Sequence, residues 1–195
     1  MISNKISKYI GVINRLKYVL PHRILLTLYN TLILPHFYYG LLLWGHKSKR
    51  LIKLQKRALR TITLSKYNAH SEPICKYLNT LKLHDLYELQ LYKLYYKIKK
   101  GLVPHYLETA LPTLTHEHYT RGSLTQDPQF ITHHAFADHN CLVAMLVLIN
   151  KSPDIRTFIL DCTNISQFTS FVKVRLFGQY SYFCHILNCY VCSEN

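Results

Sequence analysis

The stretch Leu34–Ile62, LPHFYYGLLLWGHKSKRLIKLQKRALRTI, decides how the rest of the chain is read. Its first half is apolar and aromatic and belongs to a longer uncharged run, with no Lys, Arg, Asp or Glu from Ile24 through His46. Its second half carries two opposed patterns. Leu51, Leu54, Ala58 and Ile62 recur at spacings of three and four, which places them on one side of a helix. Lys49, Lys53, Lys56, Arg57 and Arg60 fall on the other side. The pattern predicts an apolar hairpin, buried as a support, that delivers a row of cations to solvent.

Outward from this stretch the chain reads as a series of helices. Met1–Leu20 forms a first helix, with Ser3 or Asn4 as its cap and Ile6, Ile10, Ile13 and Leu16 on its apolar stripe. Pro21 suits the first turn of a second helix over His22–Leu34. Pro35 breaks or kinks that helix, because its ring removes a helical hydrogen bond. His36–Trp44 continues as a buried helix, and Gly45 is placed to end it. Ser48 is the expected N-cap of the cationic helix, which runs to about Leu64.

Downstream, Ser71 followed by Glu72 and Pro73 starts a short helix to about Asn79. Leu83–Lys100 is a longer one, with Leu83, Leu86, Leu91, Tyr95 and Ile98 inward and Gly101 as its stop. No two-residue alternation interrupts this half. Pro112–Gln129, rich in Thr, His, Gly and Pro, reads as loop or linker. Cys141–Ile149 is a short apolar run of either type, and Ser166–Phe177 is a last helix. The expected fold is an all-α bundle of about five to six helices with a less regular C-terminal segment. It divides into residues 1–110, a linker at 111–140, a helical segment at 141–177 and a tail at 178–195.

Charge narrows the function. Lys and Arg number 24 against 10 Asp and Glu, a formal charge of +14. Such a surplus favours an anionic partner, nucleic acid before acidic membrane. Met1–Lys17 is polar and lacks the apolar core of a signal peptide, so an intracellular, reducing compartment (nucleus or cytoplasm) and free thiols are expected for the six cysteines. The uncharged run Ile24–Gly45 is long enough to span a bilayer, and a membrane anchor is the alternative it raises. Asn30, Thr27, Thr31, His36 and the central Pro35 argue for a buried helix pair instead.

Chemistry is sparse. Two-metal nucleotidyl transfer needs crowded carboxylates, and the one close pair, Asp85 and Glu88, reads as helix-surface charge. Cys184, His185, Cys189 and Cys192 lack the paired spacing of a zinc site. His133, His134, His139 and Cys141 form a loose cluster of the same weak kind. No catalytic or metal-binding residue is assigned. The cationic row Lys49, Lys53, Lys56, Arg57 and Arg60 can contact phosphates along a backbone. Tyr92, Tyr95 and Tyr96 with Lys93 and Lys97 supply a mix that can stack on bases, or an ordinary solvated face with its tyrosines in the core.

The blocks ISKYIGVINRLKYVLPHRILLTLYNTLILPHFYYGLLLWG, LIKLQKRALRTIT and EPICKYLNTLKLHDLYELQLYKLYYKIKKGLVPHYL resemble, in order and spacing, the C-terminal part of jockey-like non-LTR retrotransposon reverse transcriptases. Asn150, Pro153, Ile155, Arg156 and Phe171 match the closing pattern of that region. The resemblance spans about residues 3–177 and implies the thumb and the helices behind it. The fingers, the palm with its paired aspartates and the endonuclease have no counterpart here. It implies a fragment of an RNA-directed DNA polymerase whose parent uses Mg2+, without that catalytic centre or a cofactor of its own. Left to such a fragment is sequence-indifferent binding of a template–primer duplex, RNA–DNA or DNA, through the cationic row. A non-functional relic of the element is the other expectation.

Overall fold

The computed structural model describes residues 2–45, 49–109 and 140–180, and the fold is all-α. The helices are more numerous and shorter than expected. The chain divides into two compact units, residues 1–86 with 175–195 and residues 87–174.

In the first unit, Ile6, Ile10 and Ile13 give α1 (Ile2–Leu16) the predicted apolar stripe, and all three are buried. Ser3 and Asn4 lie inside the helix rather than capping it, and the Ser3 carbonyl accepts from the Ser7 hydroxyl. The next segment departs from expectation in an instructive way. Pro35 does not break the helix. α2 (His22–Leu28) passes into a π-helical stretch, Tyr29–Ile33, and on into α3 (Leu34–Tyr38). The Leu34 N–H bonds to the Tyr29 carbonyl, five residues back. A proline ring clashes with the carbonyl four residues earlier, and the wider turn makes room for it.

The π stretch also serves the core. Leu25, Tyr29, Ile33, Phe37 and Leu41 are all buried, at a strict spacing of four. In a regular α-helix that spacing drifts about 40° per step. A wider turn in the middle rotates the stripe back onto one side.

The break falls at Tyr39–Gly40 instead of Gly45. Tyr39 is extended and Gly40 sits at φ +64°, where a Cβ would also lie 3.3 Å from the Trp44 indole nitrogen. That indole donates to the Tyr39 carbonyl at 2.8 Å, closing the corner before α4 (Leu41–Trp44). Of Leu34–Gly45 only Phe37, Leu41 and Gly45 are buried, and Tyr39 and Leu43 face solvent. The expected buried support is therefore half a surface, because four residues per turn can hide only one stripe. Among the described residues no helix is long and apolar enough to cross a membrane.

α5 (Lys49–Ile62) packs chiefly against α1 and also against α2 and α6 (Ser71–Tyr77). The expected cap, Ser48, lies outside the described residues. Leu64 ends α5 at φ +52°, with the Ser65 N–H bonded to the Arg60 carbonyl, and Asn79 ends α6 the same way. His22 adds to the α5 terminus by donating from Nδ1 to the Ile62 carbonyl at 2.7 Å.

α7 (Leu83–Lys99) ends as predicted at Gly101, φ +64°. In the second unit its Tyr87, Leu89, Leu91, Tyr92, Tyr95, Tyr96 and Ile98 are buried on a broad face, while Lys97 and Lys99 stay exposed. α9 (Cys141–Asn150) settles the ambiguous apolar run as a helix, capped by the Asn140 side chain accepting from the Leu142 N–H. α8 (His105–Thr109) and α10 (Pro153–Asp161) have no counterpart in the sequence reading, the latter with Pro153 in its first turn. α11 (Ile165–Gly178) begins one residue before the predicted helix. The linker at 111–139 and the tail from Ser181 lie outside the described residues.

Candidate nucleic-acid interface

The cationic row stands on α5, and a displaced core face defines its position. The buried residues are Gln55, Ala58, Leu59 and Ile62, while Leu51 and Leu54 are only half-buried. The inward face is thus rotated from the expected stripe toward Gln55 and Leu59. Lys49, Lys53 and Arg57 are exposed on the opposite side, and Lys56 and Arg60 are half-buried at its margins. Arg50, absent from the predicted row, is exposed as well. It lies within the angular width of the same face, one position after Lys49, so the signal was in the sequence.

Arg60 is already partly engaged. Its Nε and Nη2 donate to the Ala69 carbonyl at 2.9 and 2.6 Å, and its guanidinium carbon lies 5.9 Å from the centre of the Tyr67 ring. It pins the loop after α5 as well as adding charge. Lys49, Lys53 and Arg57 form the part of the row that solvent reaches most freely.

The electrostatics of this face are one-sided. Not one Asp or Glu occurs from Met1 through Ser71, and all ten carboxylates of the chain come later. Within α5, Lys49 and Lys53, Lys53 and Arg57, and Lys56 and Arg60 stand four residues apart. Like charges so placed cost about 0.2–0.5 kcal/mol per pair. A helix that opposes its own charges without an internal carboxylate is stabilised by an external polyanion.

Gln55 is the residue that sequence reasoning missed. Its amide nitrogen donates to the Leu81 carbonyl at 2.9 Å and to the Tyr29 hydroxyl at 3.1 Å, and its oxygen accepts from the Leu83 N–H at 2.7 Å. One side chain therefore closes the turn into α7 and fixes the rotation of α5. A polar residue between cations carries no mark of burial in a sequence. Burial raises the Tyr29 hydroxyl well above the usual tyrosine value, against the lowering effect of its bond with Gln55.

The second stretch considered for base stacking is core. Tyr92, Tyr95 and Tyr96 are buried, Tyr96 stacks on Phe168 with centroids 4.9 Å apart, and the Tyr92 hydroxyl bonds to Ser152 at 2.9 Å. Lys93 is held below the usual lysine range, first by burial and then by Lys173 and Lys97. The Tyr92 and Tyr96 rings are closed to the bases of a nucleic acid.

Asp85 also departs from expectation. It is buried, not a surface charge, and accepts a short hydrogen bond from the Tyr180 hydroxyl, which itself accepts from the Lys82 N–H at 2.9 Å. Burial and the bond with Asp85 raise Tyr180 far above its ordinary value. Lys82 in turn pairs with Glu72 at 2.7 Å. Among the described residues no three His, Cys, Asp or Glu side chains converge as for a metal. The Cys184–Cys192 cluster and His133, His134 and His139 lie outside them.

Two cavities complete the surface. One, of about 230 Å³, opens where the ends of α1 and α5 meet, and Lys17, Arg57 and Arg60 line it. The other, of about 560 Å³, belongs to the second unit, between Tyr95, Lys99 and Lys100 of the α7 end and Arg156 and Leu160 of α10. Among the described residues its lining is cationic and apolar, with Thr157 the aliphatic hydroxyl and no His, Cys, Asp or Glu.

The chain matches no protein-family model, no curated protein and no solved structure. The functional reading therefore stands on the residues and their geometry.

Proposed function

We propose that the chain is the thumb and C-terminal part of a retroelement RNA-directed DNA polymerase, and that it binds the phosphates of a nucleic-acid duplex without regard to sequence. The observation that carries the binding is the solvent face of α5, where Lys49, Arg50, Lys53 and Arg57 stand together in a region with no carboxylate before Glu72. Phosphate contacts from such a row supply affinity and register and carry no base information. The retroelement origin rests on the resemblance of the three sequence blocks and their order. The catalytic aspartates that the resemblance would require have no counterpart here, so the reading is of a gripping surface and not of a complete polymerase.

Titration of the full chain with an RNA–DNA duplex over a range of salt tests this directly. Log affinity falls linearly with log salt, with a slope of about −0.9 for each phosphate neutralised. Lys49→Glu, Lys53→Glu and Arg57→Glu together weaken binding to every sequence alike and flatten that slope. Arg60 is left intact in this test because its fork holds Ala69. An affinity indifferent to salt and to the three reversals refutes the assignment.

A further inference from the structure

The larger cavity, of about 560 Å³, is walled by one face of α10 and the end of α7, all within the second unit. On α10 its lining residues Pro153, Arg156, Thr157 and Leu160 follow the spacing that a single side of a helix presents. Tyr95 and Ile159, both buried, supply its inner wall, and the exposed Leu160 stands toward solvent. Lys99 and Lys100 face this wall from α7 and the residue after it.

The charges of this wall are placed in a telling way. The Lys99 ammonium lies 5.3 Å from the centre of the Tyr95 ring, and that of Lys100 lies 6.0 Å from the centre of Tyr96. The helix dipole accounts for lysines at the end of α7, where cations are favoured. It does not account for Arg156, which sits in the opening turn of α10, the end of a helix that disfavours a cation. Arg156 is brought there to the same hollow as Lys99 and Lys100. The two carboxylates of α10, Asp154 and Asp161, are not among the residues that line it. Like charges gathered around one hollow repel one another, and an anion set among them relieves that repulsion.

The rest of the wall decides what kind of anion fits. The volume falls within the ~300–1,000 Å³ of ligand sites, room for a charged head and a body behind it. Tyr95 and Thr157 are the neutral hydrogen-bonding side chains of the described wall, few for a body rich in hydroxyls or amides. A bare inorganic anion leaves the apolar wall wet, and a hydrocarbon leaves the cations unused. We propose that this cavity binds a small amphipathic organic anion, a fatty-acid-like carboxylate whose head meets Lys99, Lys100 and Arg156 and whose chain lies against Ile159 and Leu160. The inference uses no residue of α5 and holds whether or not the chain binds a duplex.

Isothermal titration calorimetry of the full chain tests it with decanoate, kept below its micelle-forming concentration, against decanol and acetate. Decanoate saturates one site per chain. Decanol lacks the charge and acetate the chain, and each binds at least about tenfold more weakly. Lys99→Gln with Lys100→Gln, at exposed positions, weakens decanoate about tenfold while the thermal melt stays in place. Leu160→Asp, also at an exposed position, sets a carboxylate beside the ligand and abolishes binding. Lys49→Glu with Lys53→Glu on α5 leaves decanoate affinity unchanged, and an equal loss there would mean diffuse attraction to net charge and overturn the site. Decanol bound as tightly as decanoate overturns it, as does acetate bound as tightly. So does an affinity that survives both the paired lysine change and Leu160→Asp, or the lack of any saturable decanoate binding.

Discussion

α5 and α7 are both rich in lysine and apolar residues, and they use them in opposite ways. α5 hides Gln55, Ala58, Leu59 and Ile62 on one side and turns Lys49, Lys53 and Arg57 to solvent. α7 buries a broader face, leaving Lys97 and Lys99 exposed, and its tyrosines sit in the core of the second unit. A tyrosine placed near lysines is thus no guide to base stacking until its ring is located. Tyr18 and Tyr67, beside the end of α5, are open to solvent, as are Tyr39 and Tyr106, whereas Tyr92, Tyr95 and Tyr96 beside the α7 lysines are closed. A helix with a narrow buried face offers the rest of its circumference to a partner; one with a broad buried face offers less.

The comparison breaks first at Tyr96. If the ring were a platform for bases, Tyr96→Ala would leave stability within about 0.5 kcal/mol, the range of surface changes. As a buried ring stacked on Phe168 it should instead cost about 3–5 kcal/mol, the usual loss on truncating a core aromatic. Urea denaturation followed by far-UV circular dichroism reads the difference. Tyr67→Ala, the exposed counterpart, should leave the denaturation midpoint nearly where it was.

A smaller effect tests what sets the orientation of α5. Gln55→Leu keeps the side chain's bulk and removes its hydrogen bonds. The Leu83 N–H and the Leu81 carbonyl then lose the partner Gln55 gave them, in a site where Gln55 itself is 2% exposed. The expected loss is roughly 2–4 kcal/mol. Binding to duplex should weaken in the same variant even under conditions where it remains folded, because the cationic row is aimed by the same side chain.

These two residues also show how far the sequence could be read. Helical periodicity placed α5 and α7 with nearly correct limits and carried α1 past its end at Leu16, and Gly101 marked the stop of α7, whereas the left-handed stops at Leu64 and Asn79 carried no such mark. The exposed cations were legible because lysine and arginine seldom go inside without a partner. Gln55 and Asp85 were not, because a single buried polar residue is made possible by distant partners: Tyr29 and Leu83 for one, Tyr180 for the other. The π stretch before Pro35 escaped for a related reason. Proline announces a lost hydrogen bond, but whether the chain breaks or widens depends on the core stripe that continues through Phe37. The hollow lined by Tyr18 and Tyr67 was invisible because the two residues are far apart in sequence and come to one place only where α1 and α5 end.

The smallest effect distinguishes the two sets of lysines by their cost to the fold. Lys93 is held below the ordinary lysine value by burial, with Lys173 and Lys97 adding repulsion. The unfolded chain therefore binds the Lys93 proton more tightly than the folded one. Stability contributed by this group is lowest at neutral pH, where the folded state must carry the charge. It rises as pH climbs from the depressed folded value toward the usual 10.5. Lys93→Met retains the apolar stem, removes the charge, and should raise the melting temperature slightly at pH 7 while flattening that rise. The same substitution at Lys53, which is exposed, should barely move the melting temperature and should instead reduce duplex affinity. A Lys93→Met chain that melts unchanged but binds duplex as poorly as Lys53→Met would make α7 part of the grip, and the division of labour between the two helices would fall.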